Sequence, residues 1–330
     1  MATQVLNGLY QIVIPTPFKV GPVNCYVSTS APITLIDTGP KWDEGRTALQ
    51  SELASLGLKL NDVQRIVITH THADHYGLAA EIVQDSGAEV WTHRHNRLFL
   101  ESYETIRAQR DEFYIQLMTE AGVPAEERQR VVDGRRGGNR YADGVKVDRR
   151  LEEGDKIGLA DRLWQVYHTP GHAGGLICLF DPQSRVLLSN DHLLRDISSN
   201  PIVEPDPDGG PRPHRLVQYI QHMQRMAALE PSVAWTGHGH EVHDVHKIVR
   251  QRLHFHERRA QRMLDLIGGE ERSAYQIAEP LFGRLNGMDS FLALSETIGH
   301  LDLLEEEGRI GAMRQDGVIY WRVRNRVSPI

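Results

Sequence analysis

Four apolar, strand-like runs in this 330-residue chain end abruptly on histidine or aspartate. RIVIT (65–69) runs into His70-Thr71-His72-Ala73-Asp74-His75, and LWQVY (163–167) runs into His168-Thr169-Pro170-Gly171-His172. RVLLS (185–189) is followed by Asn190-Asp191-His192, and VAWTG (233–237) by His238-Gly239-His240. Short continuous apolar runs read as strands buried on both faces. Layered α/β folds gather their sites at the carboxyl ends of such strands. Neutral imidazoles are the usual ligands of zinc and related divalent ions. Successive side chains of a strand alternate, so His70 and His72 point to one side, and the turn that follows brings Asp74 and His75 round. Three imidazoles and a carboxylate within six residues are costly to build as a mere polar turn. Repeated at four strand ends, the pattern predicts a metal site.

The rest of the chain fits an α/β class. Strands are predicted at 9–15, 23–28, 33–37, 88–93 and 175–180, and helices at 43–57, 78–87 and 215–229. Residues 96–135 read as a helical insertion, followed by a loop over 135–144. Residues 198–214 hold five prolines, and a loop of that length inside a domain is usually functional or a linker. Past residue 245 the pattern changes to helices at 246–267, 273–282 and 289–307, then a hairpin turning at Asp316-Gly317. Two domains are expected: 1–248 as the catalytic domain with its insertion at 96–135, and 249–330 as a winged-helix domain.

Composition narrows the function. A net charge of −7 argues against a general nucleic-acid binder. Cys25 and Cys178 each sit in an apolar run and read as reduced, buried thiols without a catalytic context. No apolar run approaches the length of a membrane span and no export signal is evident, so a cytoplasmic protein is expected.

The pieces HTHADH, the GH of HTPGH, the Asp of SND and the GH of TGHG, in that order, resemble the metallo-β-lactamase superfamily of hydrolases over about residues 5–245. The resemblance implies an αββα sandwich with a dinuclear metal site between two facing sheets. It places His70, His72 and His172 on the first ion and Asp74, His75 and His238 on the second, with Asp191 bridging both. Asp37, in LIDTG, matches the family aspartate that orients a ligand imidazole, and His192 is a second candidate for such a supporting role. The resemblance further implies two divalent ions about 3.5–4 Å apart that acidify a shared water, so that hydroxide attacks a carbonyl or phosphoryl centre. Asp74 is the candidate proton acceptor as well as a ligand. Zinc is expected, with iron and manganese compatible with the same donors. Asn190 departs from the pattern, since many relatives carry glycine there.

The C-terminal part resembles the winged-helix extension of some members, among them endoribonucleases of the β-lactamase-like-protein-2 type. Its third helix carries Asp289, Glu296, Asp302, Glu305, Glu306 and Glu307 and no Lys or Arg, a face that repels phosphates. Basic residues lie instead on the first helix and on the last strand, at Arg322, Arg324 and Arg326. The insertion is expected over the mouth of the site. Tyr76, Tyr103 and Tyr114 are candidate pocket residues, and the Pro-rich loop is a second wall. A lidded, partly apolar pocket suits a thioester, lactone or carboxylic ester better than a long polyanion. The expected activity is therefore a dinuclear-metal hydrolysis of a small ester-like substrate. The alternative is a single-strand RNA endonuclease. No membrane or DNA partner is expected, RNA is a lesser expectation, and a homodimer is expected.

Overall fold

The computed structural model describes residues 2–283 and 287–324, with the side chains of residues 103 and 139 left aside. The first sheet runs in sequence order: β1 (Thr3–Leu6), β2 (Leu9–Ile14), β3 (Val23–Ser28), β4 (Thr34–Ile36), β5 (Arg65–Ile68), β6 (Glu89–His93) and β7 (Arg149–Leu151). Strands β4 to β7 are mutually parallel and β1 to β4 antiparallel. The second sheet holds β8 (Lys156–Leu159), β9 (Arg162–His168), β10 (Ile177–Asp181), β11 (Val186–Asn190) and β12 (Val233–Thr236), also as sequential neighbours. Only its β11–β12 pair is parallel.

The two sheets face each other across one core, because alternate residues of each strand are apolar on both faces. Tyr26, Ile36 and Val67 of the first sheet meet Trp164, Val166, Leu179 and Leu188 of the second. Ile66 and Ile68, one step out of register with Val67, turn to the other face. There they pack with Leu49 and Leu53 of α1 (Asp43–Ser55) and with Ile82, which follows the short α2 (Ala73–Tyr76) on α3 (Ala79–Ser86). Each such fully buried Leu or Ile contributes about 1.5–3 kcal/mol. The opposite outer face is closed by two later helices, completing the four layers.

The insertion comprises α4 (Arg94–Glu101), α5 (Tyr103–Glu120) and α6 (Ala125–Gly138). Helix α6 runs on through Arg135–Gly138, where a loop was expected from the RRGG sequence. The Arg135 guanidinium stacks on the Tyr114 ring of α5 at 3.8 Å, a contact with no local signature that holds the last turn. Helices α7 (Arg215–Ala228) and α8 (Val245–Ile267) follow. Leu216, Tyr219 and Met223 of α7 and Val245 and Val249 of α8 cover Cys178, Phe180 and Leu187 of the second sheet. Helix α8 is continuous across residues 248 and 249. Its second half, with Ala260, Met263 and Ile267, belongs to another core.

That core unites the C-terminal elements with the insertion. It is built from α9 (Ala274–Phe282), α10 (Met288–Glu306), and a ribbon of β13 (Arg272–Ser273), β14 (Ile310–Gln315) and β15 (Val318–Val323). Ser273 and Gln276 form a capping box at the start of α9. Asp316 and Gly317 both take positive φ, 49° and 81°, as a tight hairpin turn requires. Tyr114, Met118, Val131 and Val132 of the insertion pack there with Phe291, Leu294 and Ile298 of α10. Arg326, named above among the basic residues, lies outside the described residues.

Candidate metal centre

Every ligand-type residue stands where a strand stops. Thr69 and His70 follow β5, and Asp74 and His75 ride on α2. His172 lies between β9 and β10, Asp191 just after β11 and His238 just after β12. Backbone bonds lock these ends together across the two sheets. Asn24 N donates to Gly237 O at 2.7 Å, and Ile177 N to Thr69 O at 3.1 Å. The Tyr26 hydroxyl donates to Thr236 O at 2.6 Å.

Asn190 explains itself in this setting. It adopts φ 46°, in the left-handed region that glycine enters freely and asparagine best among the rest. Its amide nitrogen donates to Ile177 O at 3.2 Å, so the turn delivering Asp191 is kept.

Two groups of donors result. His70 Nε2 stands 3.0 Å from His72 Nδ1, which stands 2.9 Å from His172 Nε2. Three ligands at the usual zinc–nitrogen length would be separated by about 3.3 Å in a tetrahedron, so this spacing suits one ion. Asp74, His75 and His238 form the second group, with Asp74 Oδ2 at 3.4 Å from His238 Nε2. Asp191 lies between the groups. Its Oδ2 is 3.4 Å from His172 Nε2, 3.5 Å from His238 Nε2 and 4.0 Å from His70 Nε2, and its Oδ1 is 3.4 Å from His75 Nε2.

The outward ring nitrogens are already engaged. His172 Nδ1 donates to Asn200 O at 2.9 Å and His238 Nδ1 to Pro22 O at 2.7 Å. Asp37 accepts three bonds: from His75 Nδ1 at 2.8 Å, Thr69 Oγ1 at 2.7 Å and Thr69 N at 2.8 Å. Thr69 Oγ1 in turn accepts from His70 Nδ1 at 3.1 Å. One carboxylate thus fixes an imidazole in each group and turns both Nε2 atoms inward.

A cation fits this arrangement on two further observations. His75 Nε2 and Asp191 Oδ1 are buried and have no hydrogen-bond partner among the described residues. Gly237 is hollow towards them, since a Cβ there would come within 2.0 Å of Asp191 Oδ1. Burial opposes charge on every imidazole here. It lowers His70 and His172, and His72 to about 3. At His75 burial is outweighed by Asp191, Asp37 and Asp74, which hold the imidazole well above its ordinary value. His238 is raised, with Asp191 and Asp74 outweighing its burial. Burial likewise opposes the charge on Asp74, but His75 and His238 bring that carboxyl down to about 2. Burial raises Asp37, offset in part by His75 and Thr69.

The supporting residues divide. His192 is fully buried with its ring edge-on to Tyr219 at 5.5 Å, and burial pushes it down to about 3. It props the loop carrying Asp191 against α7. His168 is a similar prop, its Nε2 donating to Gly174 O at 2.9 Å in the loop of His172. His93, His95 and His168 also lie together. The rings of His93 and His168 stack at 3.8 Å and 13°, so their in-plane lone pairs run parallel and do not converge on one ion.

A cavity of about 760 Å³ opens from the donors. Tyr76 and Tyr114 line it, both almost fully buried, while the Tyr103 side chain lies outside the described residues. Helices α5 and α6 and residues 197–200 of the Pro-rich loop form its walls. Phe99 lines the cavity, whereas Phe113 and Met118 belong to the adjoining core. Sequence reasoning missed three parts of the wall. These are the loop of Pro17, Phe18, Lys19 and Val20, the start of α10 at Met288, Asp289, Phe291 and Leu292, and the cations Arg110 and Arg135. Only the paired arginines of RRGG and the lone Glu204 among prolines hinted at the last. Arg110 pairs with Glu204, which also accepts from Gly174 N at 2.8 Å. Burial works against that guanidinium, but Tyr114 and Glu204 raise its pKa. Burial works against Glu204 as well, and Arg110 and Arg215 draw it down to about 2.

Comparison with known proteins agrees with this geometry. Residues 18–238 match the family described as the metallo-beta-lactamase superfamily. The chain is 32% identical over 318 residues to the probable metallo-hydrolase YqjP of Bacillus subtilis (strain 168), covering 95% of this chain and 97% of that one. The metallo-beta-lactamase family protein TTHA1429 of Thermus thermophilus superposes with a TM-score of 0.83 at 28% identity, covering 97% of this chain and all (100%) of that one. A stretch of 47 residues is 49% identical to the acyl-coenzyme A thioesterase MBLAC2 of Gallus gallus, 14% of this chain and 17% of that one. The chain belongs to the metallo-β-lactamase superfamily and is a hydrolase of that family with His and Asp clusters suited to metal ions. No helix among the described residues is long and apolar enough to cross a membrane.

Proposed function

We propose that this hydrolase cleaves a small ester-like acyl substrate, a thioester first and a lactone or carboxylic ester next, with two zinc ions as its cofactor. The carrying observation is the cavity: about 760 Å³, opening on the donors, walled largely by apolar and aromatic side chains with a few cations. The stretch similar to an acyl-coenzyme A thioesterase supports the thioester choice. So does leaving-group chemistry, because a thiol ionises at about pH 8.5 and departs without a strong proton donor.

His70, His72 and His172 would hold one ion and Asp74, His75 and His238 the other, with Asp191 shared between them. Bound there, the ions supply Lewis acidity, which acidifies water and stabilises negative charge on the oxygen under attack. Asp74 lines the cavity, stays ionised above about pH 2 and is placed to accept a proton. Phe99 and Leu292 present apolar surface that excludes bulk water and seats the acyl chain, and the almost fully buried Tyr76 and Tyr114 make the wall solid.

The RNA endonuclease alternative finds less support. Helix α10, which would face a nucleic acid in a winged-helix module, is largely buried, and its Asp302 takes two bonds from Arg212, each 2.6 Å. We read the C-terminal part as a packing module and a homodimer surface, in a protein placed in the cytoplasm. The test is thiol release from short and medium acyl thioesters, set beside lactones, carboxylic esters, a phosphodiester and labelled single-stranded RNA. Chelator-sensitive release from one acyl class is expected. RNA cleavage without acyl turnover would overturn the proposal.

A further inference from the structure

Arg135 stands out among the cations lining the cavity. Lys19 pairs with Asp289 at 2.6 Å, Arg107 with Glu104 at 3.5 Å, and Arg110 with Glu204. Arg135 has no carboxylate within 4 Å among the described residues, and its buried Nε has no hydrogen-bond partner. The acids that act on it electrostatically are committed elsewhere: Asp111 accepts from Arg136 Nε at 3.0 Å, and Glu204 is held by Arg110. What Arg135 does touch is aromatic. Its guanidinium lies 3.8 Å from the centre of the Tyr114 ring and 5.0 Å from that of Phe291. Desolvation lowers its pKa, so the fold holds this charge against a cost. A methionine or leucine would fill the same aromatic cleft without desolvating a cation. The rings offset part of the cost of that charge through cation–π contact, and they leave the buried Nε without a hydrogen-bond partner among the described residues.

A flat guanidinium stacked on rings keeps its edge free. That edge presents a rigid fork of donors matched to carboxylate and phosphate oxygens. Arg135 and the metal-ligating residues His72, Asp74 and Asp191 line the same cavity. We propose that Arg135 anchors an anionic group, carboxylate or phosphate, on the substrate while the acyl carbonyl lies at the metal-ligating residues. The inference rests on the reading that the cavity takes an acyl substrate, and it narrows that substrate to molecules that carry a negative charge away from the scissile bond. Tyr114 positions the anchor, and the aromatic wall excludes water from the ion pair, which strengthens it.

The test is equilibrium binding of three non-hydrolysable thioethers of one length, ending in a phosphate, a carboxylate or a neutral amide. Wild-type protein is expected to bind at least one anionic probe about 10-fold or more tighter than the amide. Which anion is preferred identifies the source. Arg135→Met should bring the ratio to near one, and Arg135→Lys should retain part of it, since an ammonium lacks the fork. Repeating the titration on metal-depleted protein separates this contact from direct binding of the anion to metal. Circular dichroism should show Arg135→Met folded like wild type, since methionine fills the cleft between Tyr114 and Phe291. An unchanged anion-to-amide ratio in Arg135→Met, or no anion preference in wild type, overturns the proposal. Thioether binding does not depend on turnover. An anion preference that needs Arg135, in a protein that releases no thiol from any thioester, would sink the substrate class and keep the anchor. Thiol release with no anion preference would do the reverse.

Discussion

Replacing Asp37 by Asn should weaken metal binding about 10–100-fold without unfolding the chain. The substitution keeps shape, and asparagine tolerates the left-handed φ of 57° found here, which alanine would meet with strain. The carboxylate accepts from three donors: His75 Nδ1, Thr69 Oγ1 and Thr69 N, all within 2.8 Å. An amide offers one oxygen and turns an NH₂ group to the other side. If the NH₂ faces His75, the imidazole must flip its tautomer, and its Nε2 then carries a proton where a metal ligand needs a lone pair. If the NH₂ faces Thr69 N, two donors confront each other in a buried site. Either arrangement loses at least one charge-assisted bond of about 1.5–3 kcal/mol, equivalent to roughly 10- to 150-fold in affinity. His70 feels the change too, through Thr69 Oγ1. The assay is a competition titration of metal-depleted protein against a chromophoric zinc chelator, with circular dichroism to verify the fold. Dissociation constants within about twofold of wild type would refute the claim that Asp37 sets both ligand groups.

Three further outcomes test the framework. Asn190→Gly should fold and bind metal like wild type, whereas Asn190→Ala should lose about 1–2 kcal/mol in denaturant unfolding, because alanine pays for φ 46° without a side-chain bond. Equal stability of the two would remove the reason given for asparagine there. Glu127 ties α6 to the start of α10: it accepts from Ser290 Oγ at 2.5 Å, Gly287 N at 3.1 Å and Arg130 Nε at 2.8 Å. Burial opposes its charge, but these bonds outweigh it and lower the pKa in the folded state. Its contribution should therefore be complete above the unfolded carboxyl value of about 4.3 and be lost as pH falls through the lower folded value. Melting curves of Glu127→Gln and wild type should converge in acid, and a constant gap down to low pH would contradict the assignment. Trp164→Ala, in the core between the sheets, should cost about 3–5 kcal/mol, and a loss under about 1 kcal/mol would mean that the two sheets do not depend on that contact.

The strand ends were the readable part of the site. Each ligand-type residue follows an apolar run, and the chemistry of imidazole and carboxylate at such ends carries the meaning within a few residues. The long strands and the helices α7 to α10 were equally plain, because their periodicity is local. Strands β1, β7, β8 and β13 were not, since short segments such as TQVL, RRL and KIGL interleave polar or charged residues with apolar ones. Nothing local announces that Tyr114 of the insertion packs on Phe291, 177 positions later, at 4.9 Å. That contact makes the insertion and the C-terminal elements one body and brings α10 into the wall of the cavity. Arg135 was invisible for the same reason: its meaning lies in a missing carboxylate, which only the folded neighbourhood reveals.

The central claim is that this chain hydrolyses acyl bonds with metal held by the His and Asp clusters. Elemental analysis of the purified protein, paired with thiol release before and after chelation, tests it most directly. About two divalent ions per chain, with turnover abolished by the chelator and restored by zinc, is the predicted result. Metal-free protein whose thioester turnover ignores chelation, or one iron per chain with oxygen uptake in place of hydrolysis, would contradict it.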